Sequence, residues 1–443
     1  MARTTTLQDR VIIWELAKAG HSDSWIADAV GWKVPTVRKW RRRAQRQGRK
    51  GLASSMGRPA TGALRTFRAL VQDTLRAWRI AHPGWGPKTL LTHLEDDERF
   101  KGRRLPALSS IARFLKEGNF TRSYERHSDL PQSEPQTACA PHEEWEMDAR
   151  GHEYVPEVGV IALLNLSDVY STVKIQSYAC WLGAKRMTRR PTTEDYQLVL
   201  RRAWTHWGLP DHLAADHDSV LYDNSCKSPF PTRLHLWLLA MGVEVVFGRP
   251  GQPTDQATVE RSHQTWDGQV LQGQHFDSWD GLQATLDQTL DFLNYQLPCR
   301  TLGDRPPLVA HPEALQPRRL YRPEWEGELL DWQHVYDYLA QGRWFRKVSA
   351  VGTVSLGHHV YGLGRSWAKQ SVEITFDSTS RHFVFHSADG TQTKRLPAQG
   401  LHPTALMGEM GPLANLDAFQ LALPFSWEEW RVIRLCETLG GTT

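Results

Sequence analysis

The chain opens with apolar residues at helical spacing. Val11, Trp14, Leu16 and Ala17 share one side of a helix over residues 7–19. Gly20 follows as a C-cap, and Ser22 is placed to cap a second helix over 23–30. Pro35 then stands at the first position of a third helix, where a missing N–H is tolerated. That helix reads PTVRKWRRRAQRQG and carries Arg38, Lys39, Arg41, Arg42, Arg43 and Arg46. Two helices, a turn and a basic final helix make a helix-turn-helix signature.

Residues 49–62 are rich in glycine, serine and basic residues, Arg58 among them, and read as a linker. Apolar spacing resumes over 63–80. A turn, HPGWGP, covers 82–87, and two more helices start at Lys88 and Leu105. This second unit is either another helix-turn-helix or a plain three-helix bundle. A proline-rich polar stretch, 128–141, marks a boundary.

Beyond it the period changes. HEEWEMDARGHEYV and VGVIALLNLSDVYSTVKIQSYA hold three β-rich runs. Helical and strand patterns then alternate, giving the order β-β-β-α-β-α-β-α-α. Such an order predicts a mixed sheet with helices on both faces. Over 343–400, apolar and polar residues alternate between turns such as Asp389-Gly390, which predicts a small antiparallel β-barrel. The expected domains are 1–50, 60–127, 138–312 and 343–403, with a tail over 404–443 that includes a helix around Glu428–Thr438.

Composition adds little until charge is mapped. Hydrophobic residues make up 40% and charged residues 23% of 443, as in ordinary globular proteins. No apolar run is long enough to span a membrane, and the polar first ten residues do not read as a secretory signal. Five scattered cysteines without a CxxC pair fit a reducing compartment rather than a disulfide or zinc framework. Net charge is only +4, yet residues 1–60 hold thirteen Lys/Arg against four Asp/Glu. A local excess of this size suits a nucleic acid partner as well as it suits a solvated basic face.

Three acids stand out in these elements. Asp148 closes EWEMD in the first strand, Asp216 closes HLAAD in the fourth, and Glu260 lies in the helix ATVERSHQ. If the first and fourth strands are neighbours and that helix crosses their ends, the three carboxylates meet at one rim. Clustered carboxylates raise each other's pKa unless a cation is present, and hard divalent ions take oxygen ligands. Two such ions support in-line displacement at phosphorus. Asp168, Asp218 and Asp255 are rival ligands, Asp218 foremost.

The same segments resemble the catalytic core of the retroviral-integrase-like (DDE) transposase family. Trp145-Glu146-Met147-Asp148 resembles its W-x-x-D opening. Leu209-Pro210 with Ala215-Asp216-His217-Asp218-Ser219 is similar to its P…D-N-G-S segment. Arg249-Pro250-Gly251-Gln252-Pro253 followed by Val259-Glu260-Arg261-Ser262-His263 resembles P-x-x-P…G-x-V-E-R-x-H. Asn294-Tyr295 with Leu302-Gly303-Asp304-Arg305-Pro306 resembles the closing Y-N…L-G-x-x-P. The paired helical units and the β-rich C-terminus suit bacterial insertion-sequence members of that family. There are departures. His217-Asp218 replaces Asn-Gly, Ala257 stands where glycine is usual, and Asp267 where a basic residue is common. The 43 residues between Asp216 and Glu260 exceed the family's usual spacing, and the loop 222–232 is expected to hold the excess at the rim.

The resemblance implies a ribonuclease-H-like α/β core in which Asp148, Asp216 and Glu260 are catalytic and hold magnesium or manganese, two ions in number. It implies a DNA transposase that binds the terminal repeats of a mobile element, frees a 3′-hydroxyl and joins it to target DNA. Arg38, Lys39, Arg41, Arg42, Arg43, Arg46, Arg58, Arg261 and His263 are the expected DNA contacts. His263, one turn from Glu260, either touches phosphate, orients a ligand or is simply packed. A dimer or tetramer on DNA in the bacterial cytoplasm, associated with the nucleoid, is expected, with no membrane partner. An accessory ATPase is left open, and no nucleotide motif appears. Two other readings stay open: a catalytically silent, transposase-derived DNA-binding regulator, and a nuclease that cuts without joining.

Overall fold

Capping chemistry starts each helix of the N-terminal unit. In the computed structural model α1 (Leu7–Lys18) opens with a capping box. The Asp9 amide donates to Thr6 Oγ1 at 3.1 Å, and the Thr6 amide to Asp9 Oδ2 at 2.8 Å. Ser22 accepts the Trp25 amide at the start of α2 (Asp23–Val30), and α3 (Val34–Gln47) carries proline in its first turn. Ile13, Ile26, Ala27, Val37 and Trp40 form the core between them. Arg10 lies buried with its guanidinium 4.2 Å over the Trp40 ring, and it donates to the Leu52 carbonyl at 3.1 Å. The turn after α3 is thereby tied back to α1. The structure describes residues 5–53, 62–121, 138–224, 226–248 and 257–408, with only the backbone over 257–261. The chain divides into two units, 1–66 and 67–443.

The larger unit begins with α4 (Ala69–Ala81), α5 (Pro87–Asp96) and α6 (Leu108–Glu117). The helix expected from residue 63 starts only at Ala69, because residues 63–66 form turns that bury Ala63 and Leu64. This bundle is seated on the α/β core. The His93 ring stacks on Phe292 at 4.5 Å, Gln269 donates to Thr89 Oγ1 at 3.1 Å, and Gln274 to the Ala81 carbonyl at 2.9 Å.

Asp168 marks where the core's strands turn. β1 (Glu144–Val155), β2 (Gly159–Asp168) and β3 (Lys174–Ala184) form an antiparallel meander, with β4 (Met187–Thr188) as a two-residue edge. α7 (Thr193–Trp207) leads to β5 (His212–Ala215), which pairs parallel with β1. α8 (Arg233–Ala240) leads to β6 (Glu244–Phe247), parallel with β5. The sheet order is β4-β3-β2-β1-β5-β6, the mixed ribonuclease-H-like arrangement that the element order predicts. α7 and α8 cover one face. α9 (Ala257–Trp266), a π-helical turn at 267–271 and α10 (Trp279–Tyr295) cover the other, burying Ile161, Leu163 and Ala179. Among the described residues no helix is long and apolar enough to cross a membrane.

After α11 (Pro307–Ala310), the segment through α12 (Glu326–Leu329) and α13 (Trp332–Gln341) wraps the α7–α8 face. Its anchor is a buried ion pair. Arg201 of α7 donates to both Glu326 oxygens, at 2.7 and 2.6 Å, with side chains 4% and 0% exposed. Trp237 Nε1 and the Tyr321 hydroxyl also donate to that carboxylate, at 2.9 and 2.6 Å. Arg201 further reaches the Met407 carbonyl in α14 (Pro403–Met407) at 2.8 Å. Every oxygen of the buried carboxylate is satisfied, the condition under which a buried pair is tolerated.

β7 (Trp344–Lys347), β8 (Thr353–Leu356), β9 (His359–Gly362), β10 (Ser371–Asp377), β11 (His382–Ser387) and β12 (Thr393–Pro397) match the expected alternation. They do not form one closed ladder. β12-β11-β10-β7 is a four-stranded sheet, and β8-β9 is a separate hairpin. Side chains join the two instead. Tyr361 packs on Phe383 and Phe385, and Lys394 Nζ donates to the Gly362 and Leu363 carbonyls at 2.9 Å. The tail expected beyond 408, including Glu428–Thr438, lies outside the described residues.

Removing one half of the buried pair strands the other. Glu326→Ala is expected to lower stability by about 3–5 kcal/mol in urea unfolding followed by tryptophan fluorescence. The paired change Arg201→Met with Glu326→Leu is expected to cost much less. Equal losses in both proteins would show that the pair does not act as a unit.

Candidate active site

The register of β1 decides where its carboxylate goes. Met147 pairs with Ala215 at the last rung of the β1–β5 ladder. The next residue on each chain segment is an acid, Asp148 within β1 and Asp216 just past the end of β5, so two residues 68 apart in sequence stand next to each other on neighbouring strands. On its other side Asp148 pairs with Asn165 of β2. Asn165 is fully buried and accepts the Ser177 hydroxyl at 2.7 Å. The tryptophan of Trp145-Glu146-Met147-Asp148 has a structural reason. It is fully buried, and its Nε1 donates to His142 Nδ1 at 3.1 Å, while His142 Nε2 donates to the Ala314 carbonyl at 2.7 Å. Burial holds that imidazole below its usual pKa.

α9 lies across β1 on the face that Asp148 shares with Asn165. His263 Nε2 stands 3.4 Å from Asp148 Oδ2, within ion-pair distance, and Arg150 donates to the His263 carbonyl at 3.3 Å. Burial, then Arg150 and Lys174, push the His263 pKa down. Glu260 sits one turn earlier on the same helix. Its side chain, and that of Arg261, lie outside the described residues. Arg150 also reaches Glu153 at 3.0 Å and Asp267 at 3.5 Å. Asp267, where the resemblance leads one to expect a base, thus braces the junction of α9 with β1.

Asp216 is solvent-accessible but crowded on its protein side. That crowding, followed by the nearby charge of Asp218, raises its pKa, and the Asp218 amide donating to Oδ1 at 3.0 Å opposes the rise. Asp218 is committed to the loop. It accepts the Tyr196 hydroxyl at 2.7 Å and the Val220 amide at 3.1 Å. Burial drives the Tyr196 pKa up, and the charges of Asp218, Asp216 and Asp148 add to it, so the phenol donates to Asp218 as a neutral group. Asp168 is a buried turn acid that accepts the His142 and Ser171 amides, each at 2.7 Å. Asp255 lies outside the described residues.

Two of the three expected ligands are brought together, and the third lies on the helix that packs beside them. Among the described residues no group of three His, Cys, Asp or Glu stands ready to hold a metal. The Glu260 carboxylate is not among those residues. The donors that are described fit a hard divalent ion: carboxylate oxygens on neighbouring strands, Asp148 within β1 and Asp216 at the end of β5, the latter with its charge disfavoured by crowding.

The excess length after Asp216 has a use that the spacing did not reveal. The loop is not free at the rim, because its second half seats β7. Arg346 and Trp344 Nε1 donate to the Ser228 and Pro229 carbonyls, at 2.7 and 3.1 Å, and Phe230 packs on Trp344 and Phe383.

On α3, Arg38 and Arg41 pair with Asp23 of α2, at 3.3 and 2.9 Å, and hold its pKa below the usual range. Lys39 and Arg43 flank the Trp40 ring, and Arg42 and Arg46 are exposed. Arg58 lies outside the described residues. Sequence reading missed Tyr196, Asn165 and Arg150. None stands in a motif, and only the sheet register and the packing of α7 and α9 bring them to the carboxylates.

Residues 241–307 match the family model described as the integrase core domain. Among solved structures, the chain is similar to a simian T-cell lymphotropic virus intasome in complex with PP2A regulatory subunit B56 gamma. Identity there is 13% over 74% of this chain and 96% of that one, with a TM-score of 0.33. It is similar to the catalytic core domain of BIV integrase, at 16% identity over 39% of this chain and 95% of that one, with a TM-score of 0.29. It is also similar to the HTLV-2 integrase catalytic core domain in complex with magnesium, at 12% identity over 39% and 97%, with a TM-score of 0.29. The resemblance read from the motifs is borne out over residues 241–307, which are integrase-core-like.

Structural and site acids are expected to separate by stability. Asp168→Ala leaves buried donors without acceptors and is expected to cost about 2–3 kcal/mol. Asp216→Asn removes a crowded charge and is expected to leave the melting temperature unchanged or raised. Calorimetry on both variants checks the contrast, and a large loss at Asp216 would make it a structural acid.

Proposed function

We propose that the protein is a metal-dependent polynucleotidyl transferase of the transposase kind. It binds the terminal repeats of a mobile element, cleaves a phosphodiester to free a 3′-hydroxyl, and joins that hydroxyl to target DNA. The observation that carries this reading is the last rung of the β1–β5 ladder, which sets Asp148 and Asp216 side by side, in a chain whose residues 241–307 match an integrase core domain.

Asp148, Asp216 and Glu260 are the ligands for magnesium or manganese, two ions in the full site. When bound, these ions supply an activated attacking oxygen and charge neutralisation at the leaving oxygen. The chain's own groups do the positioning. His263 orients Asp148 from α9, with Arg150 fixing the helix backbone at that turn. Tyr196 holds Asp218, and the Asp218 amide holds Asp216.

The N-terminal three-helix unit acts as a helix-turn-helix DNA-binding module. Lys39, Arg42, Arg43 and Arg46 contact the duplex, while Arg38 and Arg41 set the angle between α2 and α3 through Asp23. Arg58 and Arg261 are further phosphate contacts. The proposed domains are 1–50, 60–127, 138–312 and 343–403. Two element ends must be handled together, so a dimer or tetramer on DNA is expected.

A strand-transfer assay tests the reading, with a labelled duplex bearing the element end, a supercoiled target and magnesium. Joined product is expected from the native chain and is expected to vanish with EDTA, Asp148→Asn, Asp216→Asn or Glu260→Gln. Sequence-specific binding without cutting or joining would make the protein a DNA-binding regulator. Cutting without joining would make it a nuclease. Arg42→Glu with Arg46→Glu is expected to weaken end binding and to flatten its salt dependence by about two phosphate equivalents.

A further inference from the structure

The meander β1–β2–β3 does not end at the carboxylates. From Asn165 opposite Asp148, β2 runs back to Val160, which pairs with Gly183 near the end of β3. Five residues of strand put that end about 17 Å from Asp148. There the sequence reads Lys185-Arg186-Met187-Thr188-Arg189-Arg190, all exposed, with Lys185 and Arg186 between the paired residues Ala184 and Met187. Arg189 is taken up by Asp195. Lys185 lies 4.5 Å over the Tyr154 ring, and Arg186 and Arg190 make no ion pair among the described residues. Glu157 in the β1–β2 turn opposes them, whereas Glu153 is held by Arg150.

Large apolar side chains share this tip. Trp181, Tyr154 and Met187 are 52%, 47% and 82% exposed. The indole is also held in place. Its Nε1 donates to the Val158 carbonyl at 3.1 Å, and it lies over Gly159, where a Cβ would stand 2.8 Å from Nε1. Gly183, at φ +131°, lets β4 close against β3, since a Cβ there would meet the Met187 carbonyl oxygen at 2.2 Å. A rigid, half-exposed tryptophan on a tip that also carries the exposed Lys185, Arg186 and Arg190 is costly as bare surface and suits a polyanion with an apolar edge.

We infer that this hairpin tip is a second DNA-binding surface, which grips duplex backbone about 17 Å along from the bond being cut or joined. It rests on the functional reading above. Lys185, Arg186 and Arg190 meet phosphates, while Trp181 and Met187 pack against the sugar edge. A span of about 17 Å puts the contact roughly five phosphates along one strand from the carboxylates.

The test uses the full chain, a fluorescent duplex lacking the element end, and anisotropy across a potassium chloride series. The variant Lys185→Glu, Arg186→Glu, Arg190→Glu is expected to lose about two to three units of the log–log salt slope. Trp181→Ala is expected to bind roughly five- to tenfold more weakly, with Trp181→Phe near native, in line with the worth of one aromatic–nucleotide contact. On a separate duplex that bears the element end, a photocrosslinker at position 181 is expected to label DNA about five nucleotides from the cleaved bond. An unchanged slope with no crosslink would overturn the inference while leaving the functional reading intact. An unchanged slope with a shift in oligomeric state would also overturn it, assigning the tip to a second copy of the chain. A native chain that binds no DNA would remove the functional reading and this inference together.

Discussion

The parallel ladder between β1 and β5 is the constraint on which the rest of the core depends. β1 is the one strand of the sheet with an antiparallel neighbour on one side and a parallel neighbour on the other. A parallel pair needs a crossover, and α7 supplies it, which brings Tyr196 toward the strand ends. Side chains alternate along a strand, so a one-residue slip would turn Asp148 to the α7–α8 face and Trp145 to the α9 face. The buried Trp145–His142–Ala314 chain opposes such a slip. Holding the core together and aiming the carboxylate are therefore one physical event.

A second constraint joins the core to the C-terminal segment. The Glu326 carboxylate is fully buried, yet it gathers donors from α7, α8 and its own segment. Those partners belong to three elements far apart in sequence. Buried charge is tolerated only with all its hydrogen bonds made, so the network specifies one arrangement of the C-terminal segment on the α7–α8 face. The loop after Asp216 does similar work for β7 through Ser228 and Pro229. A loop that begins at a candidate ligand and ends under the C-terminal sheet links the two parts of the larger unit mechanically.

The charged surfaces divide by their partners. Arg38 and Arg41 are internally paired, and Asp97 and Arg99 neutralise each other near the α5–α6 bundle. The exposed Arg42 and Arg46 on α3 and Arg186 and Arg190 at the β3–β4 tip, which make no ion pair among the described residues, are the ones available to a polyanion. The α4–α6 bundle uses its turn and its His93 ring against the core, so those parts are engaged in packing.

Sequence alone determined the order of elements, the capped N-terminal helices, the mixed sheet and the two acids on its first and fourth core strands. These come from local rules: period 3.6 or 2, cap residues, and glycine or proline at turns. It also singled out Asp148, Asp216 and Glu260, because their motifs are short and contiguous. Only the tertiary structure decided that Asp168 is a turn acid, that Asp218 is held by Tyr196 and that His263 lies beside Asp148. It alone separated the C-terminal strands into a sheet and a hairpin, and it alone buried Glu326. The physical reason is common to these cases. An acid's role depends on which donors and charges surround it in space, and those arrive from strands and helices tens to hundreds of residues away, where no local pattern records them.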